Sequence, residues 1–353
     1  MTDPNFALDL YRDLPGSLAV HLHQIDLQRD RALLVRLSPQ DYAQASFLDQ
    51  RVLNGHRPRA WFPWQRIEER MQGCPAGMPA HYILHIGHCG STLISRLLGE
   101  LGVNQLREPL PLRTFAQMHI DLGTTHCRWP TETFESRLSL TLGLYARGAG
   151  PKAVKASSFC NDLAPAMLAS NPSVHATIVY AALRPYITNM LAGPNSQIDL
   201  TSLAPMRLRR LSARLGTAPA FAHEMSPGVA AAMSWATEIS ALAELMDRHD
   251  TSRVQTIDFD AFLADVRSSL RRLAEHAFPG VQDTQIDAAA ADDTLTRYSK
   301  APEHHYDAML RRRVLADAEF QWGDEIRKGL QWIARTATRY PLIARAADRF
   351  GGL

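Results

Sequence analysis

Short apolar runs alternate along the chain with stretches of helical spacing. The run from residue 81 to Ile86 stops at Gly87, which is typical of a buried strand in a parallel sheet. Beyond Gly90, apolar residues recur every three or four positions and predict a helix with one buried face: Leu93, Ile94, Leu97, Leu98 and Leu101. Similar runs predict strands at residues 152–156, 174–183 and 253–258, each followed by a helix. Because such strands need crossover connections, we predict an α/β fold, a mainly parallel central sheet flanked by helices in three layers.

The turn between the first strand and its helix, residues 87–92, has the composition of an anion-binding loop. Gly87 and Gly90 permit positive φ and close backbone approach. Ser91 and Thr92 open the helix, whose free N–H groups and positive dipole end favour phosphate. A Walker A loop has four residues between its glycines and a lysine after the second, so this loop is of another kind. A tight turn without a ligand is the alternative interpretation.

Residues 1–78 show a different pattern from the rest. Strand-like pieces at 18–25 and 32–37 precede a helix-like piece at 40–53. The aromatic and basic tract at 57–64 fits either a stacking surface for an acceptor or interface packing. A turn-rich segment at 73–79 ends this part. We therefore predict an N-terminal extension, residues 1–78, packed on a core domain of residues 79–353.

Composition excludes several classes of function. The 353 residues are 46% hydrophobic and 21% charged, as in soluble globular proteins, and a net charge of +2 indicates neither nucleic acid nor an anionic membrane as partner. The four cysteines, Cys74, Cys89, Cys127 and Cys160, form no C-x-x-C pair, which fits a reducing, cytoplasmic setting. Adjacent His304 and His305 would point apart, so no metal site is predicted. No leader or membrane span is expected either.

The segment HIGHCGSTLISRLLGELG, residues 85–102, resembles the 5′-phosphosulfate-binding loop and following helix of sulfotransferases, in particular bacterial sulfotransferase-like P-loop proteins. The resemblance implies 3′-phosphoadenosine 5′-phosphosulfate (PAPS) as donor, with no metal. It implies that the donor is bound by Gly87, His88, Cys89, Gly90, Ser91 and Thr92. The family commonly has Lys or Arg where this chain has His88, so the resemblance also implies a catalytic role for His88 with a pH-dependent charge.

Two further residues match catalytic positions of this family. In several branches a glutamate shortly after the loop helix is the general base, and Glu108 stands there between Arg107 and Arg113. A surface ion pair is the alternative for Glu108. The family's catalytic histidine follows a lysine by two residues at a strand end, where this chain has Lys155 and Ser157. The resemblance thus implies that Lys155 touches the transferring group, although a snorkelling lysine at a sheet edge fits equally well. With serine in place of histidine, Glu108 is favoured as the base.

The resemblance also implies residues that hold the nucleotide. The arginine leaving the third predicted strand, Arg184, corresponds to the family's 3′-phosphate ligand, and Thr188 or Asn189 stands in for the accompanying serine. A late basic loop closes over the nucleotide in the family. Tyr298, Ser299 and Lys300 occupy the comparable position and would supply stacking and phosphate contacts.

Two regions are predicted to have no part in the chemistry. The basic helix at 200–215 is expected to present a solvated face, with an acidic acceptor or an oligomer contact as alternatives; its arginines are Arg207, Arg209, Arg210 and Arg214. The helical run at 306–337, with a basic cluster at Arg311, is expected to pack on the domain.

The predicted function is transfer of a sulfuryl group from PAPS to a hydroxyl or amine of a small-molecule or carbohydrate acceptor. The alternatives are a kinase-like phosphotransferase, which the missing loop lysine disfavours, and a non-enzymatic nucleotide-binding or interaction protein. The acceptor and the oligomeric state stay open, because acceptor pockets are built from loops without a fixed signature.

Overall fold

The computed structural model describes residues 4–53, 57–75, 77–219, 225–296 and 308–352. Its strands are β1 (Val20–Asp26), β2 (Arg31–Arg36), β3 (Arg59–Pro63), β4 (His81–His85), β5 (Asn104–Arg107), β6 (Lys152–Lys155), β7 (Ala176–Tyr180) and β8 (Val254–Asp258). Its helices are α1 (Pro4–Asp13), α2 (Pro39–Gln44), α3 (Trp64–Met71), α4 (Ser91–Glu100), α5 (Leu110–His119), α6 (Thr131–Ala146), α7 (Ala164–Ala169), α8 (Leu183–Ala192), α9 (Pro194–Leu215), α10 (Pro227–Arg248), α11 (Phe259–Ala264), α12 (Val266–Ala277), α13 (Asp283–Ala290), α14 (Ala308–Arg339) and α15 (Pro341–Arg349).

The central sheet has five parallel strands in the order β5-β6-β4-β7-β8. The middle strand β4 is buried at every position, as its apolar run predicted. Helix α4 packs on β4, β5 and β6, while α8, α10, α14 and α15 pack against one another. The predicted mainly parallel α/β fold flanked by helices is therefore confirmed. Within the described ranges, no helix combines the length and apolarity that a bilayer span requires.

Strands β1, β2 and β3 form a separate antiparallel sheet in the N-terminal part. The aromatic tract at 57–64 belongs to its strand β3 and to the start of α3. Arg31 lies over the Trp61 ring, Phe62 stacks on Tyr11, and Trp64 is fully buried, so this tract serves interface packing. The apolar side chains of this sheet join the same continuous core as those of the parallel sheet. The domain boundary near residue 78 stays a prediction.

Two elements near residue 108 differ from the expectation. The strand β5 was not predicted, because Asn104 and Gln105 break the apolar pattern in a strand of four residues. Helix α5, which starts at Leu110 in a region with two prolines, was not predicted either. Pro109 precedes the helix and Pro111 lies in its first turn, where a missing N–H leaves no hydrogen bond unmade.

The expectation of a solvated face on α9 is wrong for Arg207 and Arg210, which are buried. Arg210 donates to Glu238 at 2.7 Å and to Asp162 at 2.5 Å. These carboxylates outweigh the cost of burial and raise the pKa of Arg210 above its usual value. Asn161 joins this group, since its side-chain amide donates to the carbonyl of His85 and to Glu238, both at 3.0 Å. A buried polar network thus supports the end of β4.

Candidate active site

A cleft of about 390 Å³ opens at the carboxyl ends of β4, β5 and β6. From β4 the chain first builds the sheet on one side, through β5 and β6, and then on the other, through β7 and β8. Such a switch of direction leaves a crevice beside the first strand, which is where open α/β sheets bind ligands. The loop at 87–92, Glu108, Lys155 and Ser157 all line this cleft. The structure therefore brings together residues that are far apart in the sequence.

The loop has the backbone conformation that its glycines predict. Gly87, His88 and Gly90 have φ values of 81°, 49° and 77°, so the chain turns sharply before α4 begins. A Cβ atom at Gly90 would lie 1.9 Å from the Phe259 ring, so only glycine fits there. Among the residues that the structure describes, no side chain caps the N-terminus of α4, whose first residues Ser91 and Thr92 line the cleft. The free N–H groups and the helix dipole thus face a cavity, as an anion site requires.

The His88 ring is held by residues of α9. Its Nε2 lies 3.0 Å from the Asp199 carboxylate and its Nδ1 lies 3.2 Å from the Ser196 hydroxyl. Arg207 also donates to Asp199 at 3.2 Å. Burial would raise the pKa of Asp199, but His88 and Arg207 outweigh it and lower the pKa to about 2. Asn189, a predicted nucleotide ligand, donates to the His88 carbonyl at 2.8 Å and lines the cleft.

Glu108, Lys155 and Ser157 form a connected group at the ends of β5 and β6. The Lys155 ammonium donates to one Glu108 oxygen, and the Ser157 hydroxyl donates to the other at 2.9 Å. The Lys155 side chain is only 1% exposed and β6 is an internal strand, so neither a surface ion pair nor a snorkelling edge lysine describes these residues. Ser157, where the resemblance led us to expect a histidine, therefore has the Glu108 carboxylate as its direct partner.

The charge of Glu108 is fixed by its neighbours. Burial alone would raise the pKa of Glu108, but Lys155, His85 and the Ser157 hydroxyl together lower it to about 2. The His85 ring accepts a hydrogen bond from the Gly87 N–H at Nδ1, 2.9 Å away, and its Nε2 lies 4.0 Å from Glu108. The ring therefore lies between the loop and the carboxylate. Sequence reasoning missed His85, because it appears as one residue of a buried strand.

A further part of the cleft, the Phe259 end, is formed by residues that were not predicted to belong to the site. Phe259, Leu263, Leu295 and Val314 give this end an apolar surface. Arg311, on the first turn of α14, lines the same end and lies 5.1 Å over the Phe259 ring. Its Nη2 donates to Asp260 at 2.9 Å. Only the folded chain brings this helix to the loop, and the basic cluster at 311–313 was the one signal in the sequence.

Two of the predicted nucleotide ligands, Arg184 and Thr188, do not line this cleft. Arg184 lies on α8 with its side chain 57% exposed, 3.9 Å from Glu319. Thr188 is buried and its hydroxyl donates to the Arg184 carbonyl at 2.9 Å. The strand before them ends at Tyr180, three residues earlier than expected. Tyr298, Ser299 and Lys300 lie outside the described residues, as do His304 and His305.

No protein-family model matches the chain, and no curated protein matches it. Among solved structures, the chain is similar to a sulfotransferase of Mycobacterium avium, with 13% identity over 91% of this chain and 97% of that chain and a TM-score of 0.36. A sulfotransferase domain from the curacin biosynthetic pathway has 14% identity over 70% of this chain and 98% of that one, with a TM-score of 0.35. At these TM-scores the matches carry no argument about activity, donor or acceptor.

Proposed function

We propose that the protein transfers a sulfuryl group from PAPS to a hydroxyl or amine of an acceptor. The observation that carries the proposal is the position of two sites in one cleft. The uncapped N-terminus of α4 faces the cavity, and the paired side chains of Lys155 and Glu108 line the same cavity. The first suits an anionic donor, and the second suits proton transfer and charge stabilisation.

The donor end is assigned from the loop geometry. The N–H groups at Ser91 and Thr92 and the positive end of the α4 dipole would bind the 5′-phosphosulfate. Glycine at position 90 is required for the shape of this loop, because a Cβ atom there would overlap Phe259 and φ is positive. The His88 imidazole would position this loop rather than donate to the ligand, because Asp199 and Ser196 already engage both of its ring nitrogens.

The nucleotide end is assigned to the apolar surface around Phe259 and to Arg311. A planar guanidinium suits the 3′-phosphate, because it can donate two parallel hydrogen bonds. Arg311 lines the cleft, and its bonds to Asp260 hold its position. The sequence resemblance assigns this role to Arg184, which lies outside the cleft. Substituting each arginine in turn distinguishes the two assignments.

PAPS supplies an activated sulfuryl group: the acceptor oxygen or nitrogen attacks sulfur, the bond from sulfur to the bridging oxygen breaks, and the electron pair stays on the 5′-phosphate. Glu108 takes the proton of the acceptor, and Lys155 donates to the bridging oxygen as its charge grows. Glu108 is a weak base while Lys155 is bonded to it, since its pKa is about 2. As Lys155 turns to the bridging oxygen, Glu108 loses its strongest partner and its affinity for the proton rises.

The test combines binding with turnover. Calorimetry with adenosine 3′,5′-bisphosphate and with magnesium ATP separates a PAPS enzyme, which prefers the bisphosphate, from a kinase, which prefers ATP. Labelled PAPS with a host extract then reports turnover as labelled product. Lys155→Met should lose turnover and keep bisphosphate binding, whereas the control Lys328→Met, an exposed lysine on α14, should keep both. Preference for ATP, or binding of neither nucleotide, would reject the proposal.

A further inference from the structure

The wall of the cleft next to Lys155 comes partly from the N-terminal extension. Phe47, in the irregular segment between α2 and a short 3₁₀ turn at Gln50–Leu53, lines the cleft with its ring 5.7 Å from the Lys155 ammonium. Phe159, at the end of the segment after β6, lines the cleft as well. Two aromatic rings therefore border the space beside the proposed base.

The segment that carries Phe47 is tied firmly to the core. Arg107 donates to the carbonyls of Tyr42, Ala43 and Ala45 at 2.8–3.2 Å, and its own carbonyl accepts from the Leu48 N–H at 2.7 Å. Arg96 donates to the Ser46 hydroxyl at 2.8 Å. These bonds lie on both sides of Phe47 in the sequence. The backbone that carries Phe47 is therefore fixed at this wall of the cleft by hydrogen bonds.

An arginine lies over each of these rings. The Arg51 guanidinium lies 4.4 Å from the Phe47 centroid and the Arg113 guanidinium lies 5.0 Å from the Phe159 centroid. Arg51 binds both oxygens of Asp49, at 2.8 and 2.5 Å. Stacking on a ring holds a guanidinium in one orientation and leaves its N–H groups open to a ligand.

Arg113 is a cleft residue whose positive charge is not paired with a carboxylate among the described residues. It lines the cleft and is partly exposed. Within the described part of the chain it makes no hydrogen bond or ion pair with another side chain. Asp49 is close enough for Arg113 to help lower its pKa, but Arg51 already holds that carboxylate. Glu108 is balanced by Lys155. One positive charge therefore faces the acceptor end.

We propose that the acceptor carries an anionic group, a carboxylate, sulfate or phosphate, in addition to the hydroxyl or amine that is sulfated. Arg113 binds this group, and the apolar body of the acceptor lies against Phe47 and Phe159. The proposal rests on the proposed function, because it assigns the acceptor end of the same cleft.

The test uses matched pairs of probes that differ in one charge. The first pair is 3-(4-hydroxyphenyl)propionate and its amide, and the second is 4-nitrophenyl β-D-glucuronide and 4-nitrophenyl β-D-glucoside. Binding of each is measured by calorimetry on the full chain saturated with adenosine 3′,5′-bisphosphate. We expect the anion of at least one pair to bind about tenfold more tightly than its neutral partner, as a charge-assisted hydrogen bond to arginine implies.

Two variants identify Arg113 as the cause. Arg113→Gln should remove the preference for the anion and leave bisphosphate affinity unchanged. Arg66→Gln is the matched control, because Arg66 also lies over an aromatic ring, Tyr11, but is outside the cleft. It should keep the preference.

Three outcomes would overturn the proposal: equal binding within both pairs, no saturable binding of either anion, or a preference that survives Arg113→Gln. If Arg113→Gln instead lowers the bisphosphate affinity, Arg113 belongs to the donor end and the acceptor assignment is wrong. If the bisphosphate itself does not bind, the proposed function is rejected. This result differs from the three outcomes above, which reject only the acceptor assignment.

Discussion

Replacing Glu108 by glutamine tests the centre of the proposed chemistry. Glutamine keeps the shape of the side chain and an oxygen that accepts from Lys155, but it cannot take a proton. Loss of a general base lowers turnover by about 10²- to 10⁴-fold. Bisphosphate affinity should stay within about threefold, because the proposed donor site is the α4 loop. A tenfold change in affinity would need a loss of about 1.4 kcal/mol of binding free energy.

The same variant has a calculable effect on stability. The pKa of Glu108 is lowered from 4.5 to about 2. At 1.36 kcal/mol per pK unit, the ionised carboxylate contributes at most about 3 kcal/mol to the free energy of unfolding. A carboxyl with a lowered folded-state pKa contributes stability above its unfolded pKa and loses it as pH falls through the folded pKa. The contribution is thus complete above about pH 4.5 and disappears towards pH 2, whereas glutamine does not titrate.

Two measurements check this reasoning. Urea unfolding at pH 6, 4.5, 3 and 2 should show that the stability difference between wild type and Glu108→Gln shrinks by up to about 3 kcal/mol as pH falls. Turnover of labelled PAPS, with Glu69→Gln as an exposed control, should show the loss of rate. A stability difference independent of pH would refute the buried ion pair, and unchanged turnover would remove Glu108 from the mechanism.

Three further changes have definite expected outcomes. Gly90→Ala should lower bisphosphate affinity at least about tenfold in calorimetry, because the new Cβ overlaps Phe259 and φ is positive; unchanged affinity would exclude the loop as the anion site. Arg311→Gln should weaken the binding of adenosine 3′,5′-bisphosphate about tenfold more than the binding of adenosine 5′-phosphate, whereas Arg184→Gln should show no such difference. The reverse result would restore Arg184 as the 3′-phosphate ligand. Glu238→Gln should lower the free energy of unfolding by about 3 kcal/mol, measured in urea, because it removes one of the two carboxylates that balance the buried Arg210 charge; a change below about 1 kcal/mol would contradict the network.

The parallel sheet and the loop could be predicted because their signals are local. A buried strand, two glycines and a helix with one apolar face stand next to one another between residues 81 and 101, so no distant residue is needed to recognise them. By contrast, β5 is short and polar at its start, and only its pairing with β6 makes it a strand. Pattern alone therefore finds the central strands and misses the edge strand beside the catalytic pair.

The polar interior could not be predicted, because its partners are far apart in the sequence. Arg210 has the spacing of a solvated helix face, and it is buried only because Glu238 and Asp162 come from other elements. Arg311 likewise reaches the cleft through the packing of α14. Lys155 and Glu108 were predicted one by one from the family resemblance, but the ion pair between them follows from the adjacency of β5 and β6.

Arg107 and Glu108 are neighbours in the chain, and this has a consequence for how the protein can be divided. Arg107 fixes the segment around Phe47, and the next residue is the proposed base. The proposed acceptor wall and the proposed base thus depend on the same few backbone atoms. The first 78 residues supply Phe47 and share one continuous apolar core with the parallel sheet, so removing them would expose that core and also take away one side of the proposed acceptor pocket.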